Sequence, residues 1–231
     1  MKNLLIILLV SVAAFGQHAD TLQTRLFAFT PVNWQVDKIN GVAVGLGLSL
    51  TIQDRDPVVV NGFNLEINPL TPLIVLFLDP ERIGNDSITA TVNGLHISTG
   101  GFMRNAKLNG LGISVYNIGM ESNGLSITGL YNVSKVMNGL HISGIANSAE
   151  TTGRGLFIAG FNYAGDFGGM MLGGCNRADY FKGVSLGVAN ISYKEMTGVQ
   201  IGLFNRTKKC RGLQIGLWNI NEKRSLPFIN W

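Results

Sequence analysis

Three histidines, two cysteines and one serine framed as Gly183-Val184-Ser185-Leu186-Gly187 are the residues of this 231-residue chain whose types could support chemistry. The serine matches a nucleophile-elbow pattern, which requires a strand-turn-helix and a histidine later in the chain. His18, His96 and His141 all precede Ser185, and the serine fills a variable slot of a strand repeat. The match is a by-product of periodic glycine. His96 and His141 share one slot, Gly-Leu-His-Ile-Ser, in units three apart. Stacked coils would separate them by about 14 Å, too far for one metal. They read as exposed or groove-lining histidines. Cys175 and Cys210 fall in different slots two coils apart. A gap of roughly 10 Å exceeds what a disulfide spans, so both are expected to be buried as small apolar residues. With no acid/base pair, metal set or cofactor motif left standing, the chain is expected not to be an enzyme and to need no cofactor.

What would position any side chain here is a repeat. Its clearest copy is Gly212-Leu213-Gln214-Ile215-Gly216-Leu217-Trp218-Asn219, preceded by Gly198-Val199-Gln200-Ile201-Gly202-Leu203-Phe204-Asn205. Leading glycines recur at Gly94, Gly110, Gly124, Gly139, Gly155, Gly169, Gly183, Gly198 and Gly212, spaced 14 to 16 apart. Asparagines accompany them at Asn117, Asn132, Asn147, Asn162, Asn176, Asn190, Asn205 and Asn219. A period of two within each unit predicts a strand, with Leu213, Ile215 and Leu217 on one side and Gln214, Gly216 and Trp218 on the other. A turn is expected at the asparagine, followed by a short return segment.

So short a period predicts a stacked or laterally paired β architecture. In a solenoid, equivalent asparagines stack about 4.8 Å apart and hydrogen-bond to their copies. In an up-and-down outer-membrane barrel, successive strands reverse, and the same asparagine would alternate between rims. A motif of constant polarity favours an all-β solenoid of about nine to eleven coils with an internal asparagine ladder. The barrel is the alternative: the chain ends Ile229-Asn230-Trp231, yet a seven- or eight-residue strand is short of a crossing. The chain then divides into residues 1–16 as a signal peptide and 17–92 as a cap with enlarged, degenerate units. Residues 93–221 form the regular repeats and 222–231 a C-terminal cap. Pro69 to Leu78 is expected to cap the stack as a strand or short helix.

The repeated Gly-Leu-Gln-Ile-Gly-Leu-x-Asn, with the ending Leu226-Pro227-Phe228-Ile229-Asn230-Trp231, resembles an uncharacterised family of bacterial exported surface-repeat proteins. The resemblance covers roughly Asn40 to Trp231 and is specific in the last three units. It implies a surface-associated protein and supplies no catalytic residue.

Address and charge agree with that expectation. Lys2, the apolar run Leu4 to Phe15 and the small residues before Gln17 form a cleavable export signal, too short to span a bilayer. No other segment promises a helical span. Hydrophobic residues make up 46% of the chain and charged ones 14%, which leaves little polar surface. Arg206, Lys208, Lys209, Arg211, Lys223 and Arg224 face one carboxylate, Glu222, at the C-terminal end. That cluster is read as a solvated cap or as a footing on an anionic envelope surface such as lipopolysaccharide or phospholipid. The aromatics before asparagine (Tyr116, Tyr131, Phe161, Phe204, Trp218) pack, or offer a stacking platform for glycan. Nucleic acid is not an expected partner, because no basic stripe carries interleaved aromatics. The chain reads as a non-catalytic scaffold at the cell surface, outer membrane or periplasm. The alternative is a small pore or membrane-embedded barrel.

Overall fold

A computed structural model describes residues 23–32, 36–48, 57–69, 87–100 and 105–231. Residues 1–16, expected to be an export signal, and most of the Pro69–Leu78 segment lie outside the described residues. The strands are β1 (Gln23–Thr30), β2 (Val36–Gly45), β3 (Val58–Glu66), β4 (Ala90–Ser98), β5 (Ala106–Ser114), β6 (Asn117–Thr128), β7 (Tyr131–Ser143), β8 (Ala146–Ile220) and β9 (Ser225–Asn230). They pair in chain order, and every junction from β1 to β8 is parallel. Parallel neighbours in sequence require each coil to return to its start before the next begins, which is a β-solenoid. The up-and-down barrel is thereby overturned, since its successive strands must alternate in direction. β8 is 75 residues of extended backbone that winds through several coils without a break.

Register is set by the glycine that opens each unit. Gly41, Gly62, Gly94, Gly110, Gly124, Gly139 and Gly155 pair in succession. The early units keep this register although 21 and 32 residues separate their glycines. Gly198 shows why no other residue serves. Its φ is +128°, and a Cβ there would collide with the carbonyl oxygen of Gly183 in the coil below. The same corner therefore needs both a left-handed backbone and close approach between coils.

Two side-chain columns lock the stack. The ladder asparagines are buried, and Asn147, Asn162, Asn176, Asn190 and Asn205 each donate to the next copy at 2.7–3.1 Å. A second column, half-buried for most of its length, lies one residue before the leading glycines. There Asn61, Asn93, Asn109, Asn123 and Asn138 each donate to the previous copy at 2.7–3.0 Å, starting from Asn40. An amide offers a donor and an acceptor on one short stem, so a repeat of about 4.8 Å lets each copy satisfy the next.

The orientation of the strands differs from ordinary amphipathic sheets. The variable slot two residues after each leading glycine points inward, burying Ser126, His141, Phe157, Ser185, Gln200 and Gln214. The aliphatic residues on either side point out, so Ile201, Leu203, Ile215 and Leu217 are exposed. The corner falls at the pair before the ladder asparagine and not at the asparagine itself. Leu217 and Trp218 are consecutive and both exposed, whereas Asn219 is fully buried. Trp218 thus does not share a side with Gln214, as strict alternation predicts.

The reason is space. A Cβ on Gly202 would strike the carbonyl of Gly187 and stand 2.6 Å from the Asn190 amide nitrogen. At that place the lumen leaves room for glycine beside the ladder amides but none for leucine. Its apolar filling is Ile39, Val58, Val60, Val92 and Leu108 in the early coils and Met137, Phe157, Phe167, Met171, Phe181 and Met196 in the later ones, together with small alanines. Phe157 and Phe167 meet edge-on at 5.0 Å, and Phe167 stacks on Phe181 at 5.7 Å.

β9 closes the C-terminal end by pairing antiparallel with Gln214–Ile220. The strand continues through Pro227, with Phe228 at φ 67° and a register shift between Gly216 and Asn219. An edge strand tolerates a proline whose missing N–H faces away from its partner.

Candidate functional surface: outer wall, buried imidazoles and basic end

Ser185 lies inside the lumen and donates to the Oδ1 of Asn190 at 2.5 Å. Its hydroxyl serves the ladder. His96 and His141 are also inside, at 2% and 0% exposure, which corrects their reading as exposed or groove-lining side chains. Their slot faces the lumen, a direction that strand periodicity alone left open. His141 packs edge-on against Phe157 at 5.2 Å. Asn132 interrupts the ladder there: its amide nitrogen lies 3.1 Å from His141 Nδ1, and its Oδ1 accepts from Asn117. An amide nitrogen can only donate, so Nδ1 is the acceptor and the ring is neutral. Burial lowers the His141 pKa to about 4, against a smaller raising effect of a backbone hydrogen bond with Asn138. The ladder restarts at Asn147, which accepts from Ser143 and donates to the carbonyl of His141.

His96 belongs to a buried polar cluster at the opposite end. Asn64 donates to Glu66 Oε1 and approaches His96 Nδ1, each at 3.0 Å, and the Leu48 amide also donates to Glu66. Burial lowers the His96 pKa, and the Glu66 carboxylate opposes that shift. This cluster was not anticipated from sequence. Its signal is that Asn64 and His96 occupy the same slot of successive units. Among the described residues, no three His, Cys, Asp or Glu side chains gather as a metal set. Cys175 and Cys210 are free and only half-buried, which corrects the expectation that both are buried. Cys175 sits at the outward corner of its coil, and Cys210 packs on the edge of the phenylalanine core.

The six basic residues of the C-terminal end do not form one patch. Lys209 and Arg211 share Glu195, at 3.2 and 3.0 Å. Arg224 stacks over Trp231 at 3.9 Å and bonds to Asn230 and to the Trp231 carbonyl, which ties β9 down. Arg206, Lys208 and Lys223 are exposed and make no ion pair among the described residues. Of the aromatics before asparagine, Phe161, Phe204 and Trp218 are exposed, whereas Tyr116 is fully buried. They do not make a continuous platform.

The outer wall is a surface organised by the repeat itself. Three residues of each coil contribute to it, at one, three and five places after the leading glycine. The last three coils supply Val184-x-Leu186-x-Val188, Val199-x-Ile201-x-Leu203 and Leu213-x-Ile215-x-Leu217. In the middle coils the fifth place is Gly129, Gly144, Gly160 or Gly174. No charged side chain occupies these places in any coil from Gly41 onward. Near the C-terminal end the wall holds an apolar groove of about 820 Å³, floored by Gly187, Gly202 and Gly216 and lined at its end by Phe228 and Ile229. Large continuous apolar surface on a protein marks an interaction site. Among the described residues, no helix is long and apolar enough to cross a membrane. No family model, curated protein or solved structure matches this chain.

Proposed function

We propose that this protein is an exported, non-catalytic scaffold of the cell envelope, which holds a long binding face in fixed geometry. The observation that carries the reading is the uncharged aliphatic wall, displayed in register on a solenoid locked by two asparagine columns. Eleven leading glycines from Gly41 to Gly212, at about 4.8 Å per coil, make a face roughly 50 Å long. A stack of this kind transmits little change from one end to the other, because each coil contacts only its neighbours. That suits a structural or adhesive role. The export signal and the resemblance to bacterial surface-repeat proteins support the address. The inward, ladder-bound position of Ser185 supports the absence of hydrolase chemistry at the Gly-x-Ser-x-Gly site.

Fractionation tests the reading. The intact gene product should be recovered from the envelope or outside the cell, shortened at its N-terminus. A version lacking residues 1–16 should remain inside. Recovery of the full, uncleaved chain from the cytoplasm would overturn the proposal.

A further inference from the structure

The charges of the regular coils are segregated around the solenoid. From Gly110 onward the carboxylates are Glu121, Glu150, Asp166, Asp179, Glu195 and Glu222. Every one lies ten to twelve residues after its leading glycine, on the side of the coil away from the wall. The columns flanking the wall are different. The residue before the leading glycine is Arg154, Lys182 or Arg211 in three coils, and the residue after the ladder asparagine is Arg177 or Arg206 in two. All five are exposed, and neither flank carries a carboxylate in these coils. Arg154 reaches around its corner to Asp166 at 2.9 Å, and Arg211 shares Glu195 with Lys209. Arg177, Lys182 and Arg206 have no carboxylate partner among the described residues.

An uncharged wall between two cationic borders, with aromatics Phe204, Trp218 and Trp231 exposed at its end, has the layout of an interfacial membrane-binding face. We propose that the wall of the last coils seats on the surface of an anionic lipid bilayer. Its aliphatic and aromatic side chains enter the interfacial layer, and Arg177, Lys182 and Arg206 lie over the headgroups. This deepens the envelope-scaffold reading and rests on it only for which membrane the protein meets. A second copy is the competing occupant. Wall-to-wall pairing would set cationic border against cationic border, with the carboxylates of both copies facing away. An anionic surface has the complementary sign on both borders. The groove lies between the Ile201/Ile215/Ile229 and Val188/Leu203/Leu217 ridges, so its walls are aliphatic along successive coils.

The test uses the chain from Gln17, which retains every described residue. It is floated with vesicles of phosphatidylcholine alone and of phosphatidylcholine mixed with phosphatidylglycerol, at low and high salt. Binding is expected on the mixed vesicles at low salt, weakening as salt screens the borders. The double variant Leu203→Ser/Leu217→Ser should bind at least about tenfold more weakly. Arg177→Gln/Lys182→Gln/Arg206→Gln should lose roughly a hundredfold, and only on the anionic vesicles. Both keep a β-sheet circular dichroism spectrum if only the surface has changed. Should either misfold, quenching of tryptophan emission by brominated acyl chains reads the same insertion in the unaltered protein. Three results overturn the proposal: equal recovery on both vesicle types, binding indifferent to Leu203→Ser/Leu217→Ser, or no flotation of a stable dimer that this double variant dissociates. Export and vesicle binding are read separately, so a cytoplasmic location leaves the vesicle result standing, and the reverse holds too.

Discussion

Asn190 shows how much one side chain carries in a solenoid. It accepts from Asn176 at 2.9 Å and from Ser185 at 2.5 Å, and it donates to Asn205 at 2.8 Å and to the Ile201 carbonyl at 3.0 Å. Replacing it with leucine removes four bonds and forces a branched chain against bare backbone. Each buried group left unpaired costs about 1–3 kcal/mol. Asn190→Leu should therefore lower the urea midpoint far more than Leu203→Ser, which alters an exposed wall position and should stay within about 0.5 kcal/mol. Equal midpoints for the two variants would remove the ladder from the account of stability. The buried His141 contributes with a pH dependence of definite sign. Its folded pKa, about 4, lies below the unfolded value of 6.5, so the folded protein resists the proton that the unfolded chain takes up. The associated stability is complete above pH 6.5 and is lost as the pH falls toward 4, by roughly 3 kcal/mol in all. His141→Gln places in that slot the residue type found at Gln200 and Gln214. Its melting temperature should fall less across the same window. Parallel curves for variant and parent would assign the acid sensitivity elsewhere, with His96 as the next candidate because burial lowers its pKa too.

At the scale of elements, the C-terminal end of the stack is closed by a strand of its own. β1 pairs along one edge with β2, and Leu26, Phe27 and Phe29 on it are exposed. The last coil is covered by β9, which runs against the grain of the sheet and is held by the Arg224 contacts to Asn230 and Trp231. A parallel sheet whose last strand faces solvent presents a row of unpaired amides and carbonyls to any extended chain. An antiparallel strand with a proline, a kink at Phe228 and a stacked arginine ends that row. Ending the chain at Asn221 should accordingly give soluble oligomers or aggregate, detected by light scattering, under conditions where the intact protein is monodisperse. A truncated chain that stays monomeric and keeps its melting temperature would show that β9 is dispensable.

The whole molecule inverts the usual assignment of apolar and polar faces. Its lumen holds amides, hydroxyls, two imidazoles, an aliphatic core in the early coils and one of phenylalanine and methionine in the later ones, while the aliphatic residues of the repeated motif look outward. Inside, hydrogen bonds between copies replace part of the burial that a globular core would supply. Outside, the wall remains as organised apolar surface bordered by cations. From Gly110 onward the carboxylates lie on the far side, where they meet Lys107, Lys194 and Lys209 in half-exposed ion pairs of small energetic weight. The molecule is a rod with a greasy, basic-edged side and a salt-bridged back.

Much of this was legible in the residues. Glycine at a 14–16 residue period announces a corner that needs left-handed backbone, and asparagine at constant polarity announces a ladder, because both demands come from covalent geometry repeated every coil. The second asparagine column was missed, although the Asn-Gly pairs that open the early units, as at Asn61-Gly62 and Asn109-Gly110, carry its signal. Which way each strand faces was not legible. Alternation with period two reads the same when inside and outside are exchanged, so Leu213, Gln214 and Ile215 define two sides without naming the lumen. That choice was made by the cross-section of the closed coil, where stacked backbones and ladder amides leave room for Gln214 and Gly216 but none for leucine. The same closure carried His96 and His141 inward, turned Trp218 out beside Leu217, and distributed the six C-terminal cations over several faces. Linear order places residues along a strand; only the path of the coil in three dimensions decides the angle at which each one leaves it.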